Sequence, residues 1–252
     1  MTEVLILSLI QGITEFLPVS SSSHLILVTK LIYLKEQSLS IDVSLHIGSF
    51  IAVCVYFYKD LYNFTKNRVL LFKILSSSLP ILFIGYLLAE TNLIDKFRTV
   101  KTIGWTTLIF GILLYISDKF KLENSIEKDL SYKSAIIIGL WQVLALIPGV
   151  SRSGITITAS RFLNFKRFDS AKISFLLSIP TLGAVSIFGF KNLIESQDLN
   201  FSTINLGSMI FSFFFSFLTI KYFLNFIQRF SLNLFIIYRV ILGIIILTVA
   251  YS

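Results

Sequence analysis

Two polar interruptions in otherwise apolar sequence constrain this chain more than any other feature. They are Glu15-Phe-Leu-Pro18-Val-Ser20-Ser21-Ser22-Ser23-His24 and Ala145-Leu-Ile-Pro148-Gly-Val-Ser151-Arg152-Ser153-Gly154. Pro18 and Pro148, Ser21 and Ser151, and Ser23 and Ser153 are each 130 residues apart, so one unit reads as written twice. In hydrocarbon, each break frees backbone N–H and C=O groups that lipid cannot satisfy, and such breaks persist only when buried in protein or lining a wet cavity. A hydroxyl-rich break with Glu15 and His24, matched by one with Arg152, points to a polar site built inside a bilayer.

The flanking sequence belongs in a membrane. Mean hydropathy is +0.82 and only 14% of residues are charged, where a soluble domain carries about a quarter. The expected fold class is an all-α integral membrane protein. No short apolar run leads into a small-residue cleavage pattern and a soluble body, so the spans themselves are expected to direct insertion. A single cysteine, Cys54, excludes an internal disulfide and a cysteine-built metal site. The net charge of +8 sits at the ends of apolar segments, which suits membrane lipid headgroups as partners and no nucleic acid.

The chain reads as one transmembrane domain, 1–252: repeat one over about 1–117, a linker over 118–133, and repeat two over about 134–252. Residues 1–34 hold two apolar stretches either side of the first break, each short of the roughly 20 residues that a spanning helix needs. A re-entrant helix hairpin is therefore expected there, and another at 134–163. Spans are expected near 41–58, 69–89 and 99–117, separated by the charged loops Lys59–Arg68 and Glu90–Lys101, and again near 170–190, 205–226 and 234–251. A hairpin plus three crossings inverts the second half, so the breaks enter from opposite faces and meet near the midplane. Lys59, Lys66, Arg68, Lys119, Lys121, Lys128, Lys133, Lys166, Arg167, Lys172, Lys221 and Arg229 collect on one face, against Lys35, Lys96, Arg98, Lys101 and Lys191 on the other. The richer face is expected to be cytoplasmic, with both termini and the first hairpin's entrance outside.

Lys73 and Arg239, a few residues from the cytoplasmic ends of their spans, read as snorkelling anchors, as do Lys30 and Arg161 near hairpin ends. Arg152 differs, because it stands in the break itself, where an anion is the natural partner. Gly149 permits a tight turn after Pro148, and helix-start N–H groups, Ser151, Ser153 and a guanidinium fork together suit a phosphate. In the first break, a serine beside the His24 imidazole can be activated as a nucleophile, and Glu15 can orient the imidazole or hold a divalent cation. The competing reading is that the serines cap the second half-helix and His24 satisfies one of them.

Gln11-Gly-Ile-Thr-Glu15-Phe-Leu-Pro-Val-Ser-Ser-Ser-Ser-His24 and Pro148-Gly-Val-Ser-Arg-Ser-Gly-Ile-Thr156 resemble the two signature motifs of the undecaprenyl-diphosphate phosphatases of the bacitracin-resistance type. Asp42-Val-Ser-Leu-His-Ile-Gly-Ser49 and Phe175-Leu-Leu-Ser-Ile-Pro180 are also similar to that family, and the resemblance runs end to end. It implies an enzyme of the bacterial cytoplasmic membrane that removes the terminal phosphate of undecaprenyl diphosphate, regenerating the carrier lipid for wall polymers. It implies Ser21 as nucleophile with His24 beside it, and Glu15 and Gln11 as metal-associated or acid–base residues. It gives Arg152 the diphosphate, with Ser20, Ser22, Ser151, Ser153 and Thr156 as supporting donors. The cofactor it implies is a divalent cation, Mg2+ or Ca2+, and a homo-oligomer stays open.

Two positions depart from the family pattern. Gln11 stands where many members carry Glu, and Ser23 precedes His24 where glycine is common, which blurs the choice of attacking serine. His46, in the first span, reads as a packing group or one supporting the site from behind. Phosphohistidine lipid phosphatases are set aside, because no histidine follows Ser151-Arg152. A carrier for a prenyl phosphate or small anion remains the alternative, since inverted repeats with broken helices also build transporters.

Overall fold

The computed structural model describes residues 2–21, 23–25, 39–64, 68–91, 96–120, 123–195 and 203–251. Helix α1 (Thr2–Thr14) leads into the first break, after which helical backbone resumes at Ser21 and Ser23–Leu25. Then come α2 (Leu39–Tyr56), α3 (Tyr58–Phe64), α4 (Arg68–Thr91), α5 (Val100–Asp118) and the one-turn α6 (Ile126–Asp129). The second half holds α7 (Tyr132–Val143), a 3-10 turn at Leu144–Leu146, α8 (Arg152–Phe162), α9 (Arg167–Glu195), α10 (Thr203–Arg229) and α11 (Asn233–Tyr251). Among the described residues there is no strand, only an isolated bridge between Asn124 and Phe165.

Six of these helices, α2, α4, α5, α9, α10 and α11, are long and apolar enough to cross a membrane, and each overlaps a span expected from sequence. The chain is a multi-pass membrane protein. α1 and α7, at 13 and 12 residues, are too short to cross alone. Large apolar side chains such as Phe72, Phe83, Ile187 and Val249 face outward, where hydrocarbon replaces water. The stretch read as a loop from Lys59 carries α3, and its Asp60 pairs with Lys172 of α9 at 2.7 Å.

Without a hydrophobic drive between helices in lipid, close approach and hydrogen bonds hold the bundle. α2 packs on both α9 and α10, α5 on α11, α1 on α10, and α4 on α7. At the α2–α10 seam, the Ser49 hydroxyl meets those of Ser212 at 3.1 Å and Ser216 at 2.9 Å, and Ser212 donates to the Leu45 carbonyl at 2.7 Å. The aromatic core centres on Phe175, which meets Phe16 edge-on at 5.3 Å between centroids and also contacts Phe57 and Phe223.

The linker is fastened to the second half. Asn124 exchanges backbone hydrogen bonds with Asn164 and Lys166, each 3.0 Å, and the Ile126 N–H donates to Asp169 at 3.0 Å. Lys73 donates to the Leu130 carbonyl, just before α7 begins. Asp118 is the hub: it is buried at the end of α5, accepts two bonds from Arg167 at 2.8 and 2.9 Å, and lies 3.1 Å from Arg161. Arg161 is thus no snorkelling anchor. It is 3% exposed and also donates to the Phe165 and Asp118 carbonyls, so protein groups hold it in place of an extended reach to bulk solvent. Lys30 and Ser22 lie outside the described residues.

Candidate active site

Both breaks fold alike. In each, a serine with positive φ, Ser20 at 79° and Ser151 at 72°, precedes the first residue of a helix. Such a backbone is uncommon for a residue with a side chain and costs about 1–3 kcal/mol, so packing must hold it. Ser151 Oγ accepts from the Gly154 N–H at 3.1 Å, capping α8, and Ser20 Oγ meets Ser23 Oγ at 2.9 Å. The backbone match is therefore Ser20 with Ser151, one residue off the proline register, because Gly149 adds a residue to the second turn. Gly149 has φ 95°, and a Cβ there would run into Thr106 and the Ile103 carbonyl.

Arg239 of α11 ties the two breaks together. It is 0% exposed and donates to the Pro18 carbonyl of the first break at 3.3 Å, to Gly149 and Val150 of the second at 2.9 and 3.1 Å, and to Thr107 of α5 at 3.3 Å. A Cβ at Gly154 would sit 2.8 Å from its Nη1, so the glycine leaves room for the guanidinium. Arg239 is thus an interior clamp and not a headgroup anchor: the carbonyls that the breaks leave unpaired draw it inward. The usable signal in sequence was a charged residue inside a span of high hydropathy, which faces the bundle interior as a rule.

Glu15, just past α1, is the centre of the polar cluster. Its Oε1 lies 2.9 Å from Arg152 Nη2, and its Oε2 accepts from Ser21 Oγ at 2.8 Å and from Gln11 Nε2 at 3.2 Å. Gln11 Nε2 also lies 3.2 Å from His46 Nδ1. Arg152 Nη1 donates to the Ser174 carbonyl at 3.2 Å, and Thr156 Oγ1 donates to Ser174 Oγ at 2.8 Å. Ser153 Oγ donates to the Leu17 carbonyl at 2.7 Å, a second tie between the breaks.

A cavity of about 210 Å³ opens onto Glu15, Ser20, Ser21, His46, Ser151 and Arg152. Its remaining wall includes Ile81, Thr181 and Val185, which also line an adjoining apolar groove of about 360 Å³ between α4 and α9. A larger groove of about 870 Å³ along α10 carries none of this cluster. Among the expected site residues, Gln11, Glu15, Ser20, Ser21, Ser151 and Arg152 come together. Ser153 and Thr156 are spent on ties behind the cavity.

His24 stands elsewhere than expected. Its Nδ1 donates to the Ser20 carbonyl at 2.6 Å, its Nε2 faces the Tyr238 hydroxyl, and the two rings stack at 5.7 Å. One helical turn beyond Ser20, it braces the strained serine from outside the cavity, and the hydrogen-bond partner of Ser21 is Glu15. The imidazole at the cavity is that of His46, read from sequence as a packing group or one supporting the site from behind; only folding brings α2 against the first break.

Among the described residues no three His, Cys, Asp or Glu side chains gather to hold a metal. Two oxygen donors are nonetheless suited to a hard cation: Glu15, and Gln11 Oε1, which is buried without a partner.

A helical membrane bundle enclosing a charged cavity, with a carboxylate, a serine and a guanidinium drawn from two broken helices, defines an integral membrane protein with an internal polar site. The family model described as bacitracin resistance protein BacA matches residues 4–245, and the chain belongs to that family. It is 48% identical to an undecaprenyl-diphosphatase of Pelagibacter ubique (strain HTCC1062), over 99% of this chain and 98% of the relative. Relatives of the same name from Saccharophagus degradans and Jannaschia sp. are 40% and 38% identical, covering 94% and 98% of this chain and 93% and 97% of their own lengths.

Proposed function

We propose that the chain hydrolyses undecaprenyl diphosphate to undecaprenyl phosphate and inorganic phosphate, recycling the carrier lipid for cell-wall polymers and conferring bacitracin resistance. The observation that carries the chemistry is the meeting of Glu15 and Arg152, 137 positions apart, with the Ser21 hydroxyl bonded to the same carboxylate. Glu15 acts as general base toward Ser21, whose Oγ attacks the terminal phosphorus. An Oγ–P bond forms as the bond to the bridging oxygen breaks, and undecaprenyl phosphate leaves. Water then releases inorganic phosphate from the serine. Arg152 and the free N–H groups at the start of α8 stabilise the charge on the non-bridging oxygens. The apolar groove past Ile81 and Val185 receives the first units of the prenyl chain.

Glu15 and Gln11 Oε1 are the residues that would hold a divalent cation, Mg2+ or Ca2+, accompanying the diphosphate. When bound it neutralises phosphate charge that one guanidinium leaves uncompensated.

The architecture behind this site is an inverted repeat with two re-entrant hairpins. Support comes from packing that survives exchange of the halves: α1 on α10 mirrors α7 on α4, while α2 on α9 and α5 on α11 map onto themselves. The bonds of Asn124 with Asn164 and Lys166 hold the segment leading into α7 beside the end of α8, as a hairpin entering and leaving by one face requires. The cavity opens to the outside of the cytoplasmic membrane.

The test is release of inorganic phosphate from undecaprenyl diphosphate by pure protein in detergent, where a carrier would release none. Release that ends on chelation, and falls about 10²–10⁴-fold in Glu15→Gln, is expected. Full activity in excess chelator would remove the cation, and full activity in Ser21→Ala would remove the nucleophile.

A further inference from the structure

Beyond the proposed active site, a second cavity, of about 430 Å³, lies at the linker side of the bundle and is lined by Phe120, Arg161, Lys166, Arg167, Ile227 and Gln228 among others. Three cations face a single carboxylate there. Arg161 and Arg167 share Asp118, Lys166 has no ion pair among the described residues, and the nearby Asp169 is turned to the Ile126 N–H. The cavity also abuts the first turn of the 29-residue α9, whose leading N–H groups have no partner within the helix. A second observation asks for an acceptor: Arg161 is 3% exposed, lines the cavity, and its Nε is buried without a hydrogen-bond partner. Three cations against one carboxylate, beside a helix start, leave positive charge uncompensated at the cavity wall, so an anion seated here has a physical reason to stay.

What kind of anion follows from the neighbouring space. Gln228 also lines the 870 Å³ groove, which runs along α10 through Phe215, Leu218, Tyr222, Phe226 and Phe230. These recur every three or four residues on one helix face, over about 22 Å at 1.5 Å per residue. That is the depth of one leaflet with its interface, given a hydrocarbon core of about 30 Å. Tyr222 and Phe230 are exposed, so the groove is open sideways to lipid. A soluble anion would have no use for an apolar trough beginning at the wall of its pocket.

We infer that this cavity and the groove that meets it at Gln228 form a binding site for an anionic phospholipid of the surrounding bilayer, with the phosphate diester beside Arg161, Lys166 and Arg167 and one acyl chain along α10. Basic pockets between helix ends recognise lipid headgroups in this way. The site uses no residue of the Glu15–Arg152 cluster, and it stands whether or not the hydrolytic reading does.

Native mass spectrometry of the detergent-purified protein, with dioleoylphosphatidylglycerol or dioleoylphosphatidylcholine added at equal concentration, tests it. One phosphatidylglycerol should be retained, at least about fivefold in preference to phosphatidylcholine, the contribution expected of a single basic residue. Lys166→Glu, at an exposed side chain, should abolish the preference, and Leu218→Trp, which fills the groove, should reduce retention. Phe72→Trp, on a different outward face, should change neither, and phosphate release by Lys166→Glu should stay normal. Equal retention of the two lipids, or an unchanged preference in Lys166→Glu, would overturn the inference. So would displacement of the bound lipid by millimolar inorganic phosphate, which would mark a site for a soluble anion, or by equimolar undecaprenyl phosphate, which would assign it to the product.

Discussion

Arg152 and Arg239 are both arginines inside the bundle, yet they do different work because their partners differ. Arg152 lines a cavity and pairs with Glu15 and the Ser174 carbonyl, where the proposed diphosphate would compete for its fork; Arg239 is spent on four carbonyls away from any cavity anion. Arg152→Lys keeps the charge and removes the planar fork. Turnover per folded molecule should fall about 10²–10³-fold with substrate affinity little changed, since the prenyl tail supplies much of the binding. Near-normal turnover with a reduced folded yield would make Arg152 structural. Arg239→Leu leaves the Pro18, Gly149 and Val150 carbonyls of the breaks without this donor, each worth about 1–3 kcal/mol. Its loss should appear as a lower thermal midpoint in detergent and less folded protein, and an unchanged midpoint would remove the clamp from the account. At this scale the sequence was informative about chemistry and silent about direction. Residue type and spacing singled out Glu15, a run of serines and Arg152, and the family resemblance pointed to Ser21 within that run, but whether His24 or His46 faced the cavity depended on contacts between segments far apart in the chain.

The two breaks bring the polar cluster together, and each turns at a serine with positive φ. For the second, Gly149 is the critical residue, with φ 95° and the Ile103 carbonyl 2.8 Å from where a Cβ would stand. Gly149→Ala should destabilise the folded protein by more than about 1 kcal/mol, because alanine resists positive φ and must displace α5 backbone. Chemical denaturation in detergent measures it, and a wild-type midpoint would mean that the turn tolerates another shape. Helix extents were legible beforehand, since runs of apolar residues between charged loops are what a bilayer selects. The α3 turn and the one-residue offset between Ser20 and Ser151 were not, because both are set by local backbone geometry that proline spacing does not reveal.

For the whole molecule, the asymmetry of Lys and Arg predicts the linker inside and the Lys96–Lys101 region outside. In a Cys54→Ala background, cysteine at Lys96 should react with an impermeant thiol reagent on cells with any outer barrier permeabilised. Cysteine at Lys128 should react only after the inner membrane is broken, and the opposite pattern would invert the topology. The sequence by itself determined an all-helical membrane protein, its six long helices and the pair of breaks, because hydrocarbon imposes rules on composition and length that can be counted residue by residue. Tertiary structure alone decided which polar groups meet. In lipid, an unpaired buried group must find a partner wherever the packed helices offer one. That is why Arg239 turned inward to bind both breaks, why Asp118 gathered Arg161 and Arg167, and why Glu15 found Arg152 from the other half of the chain.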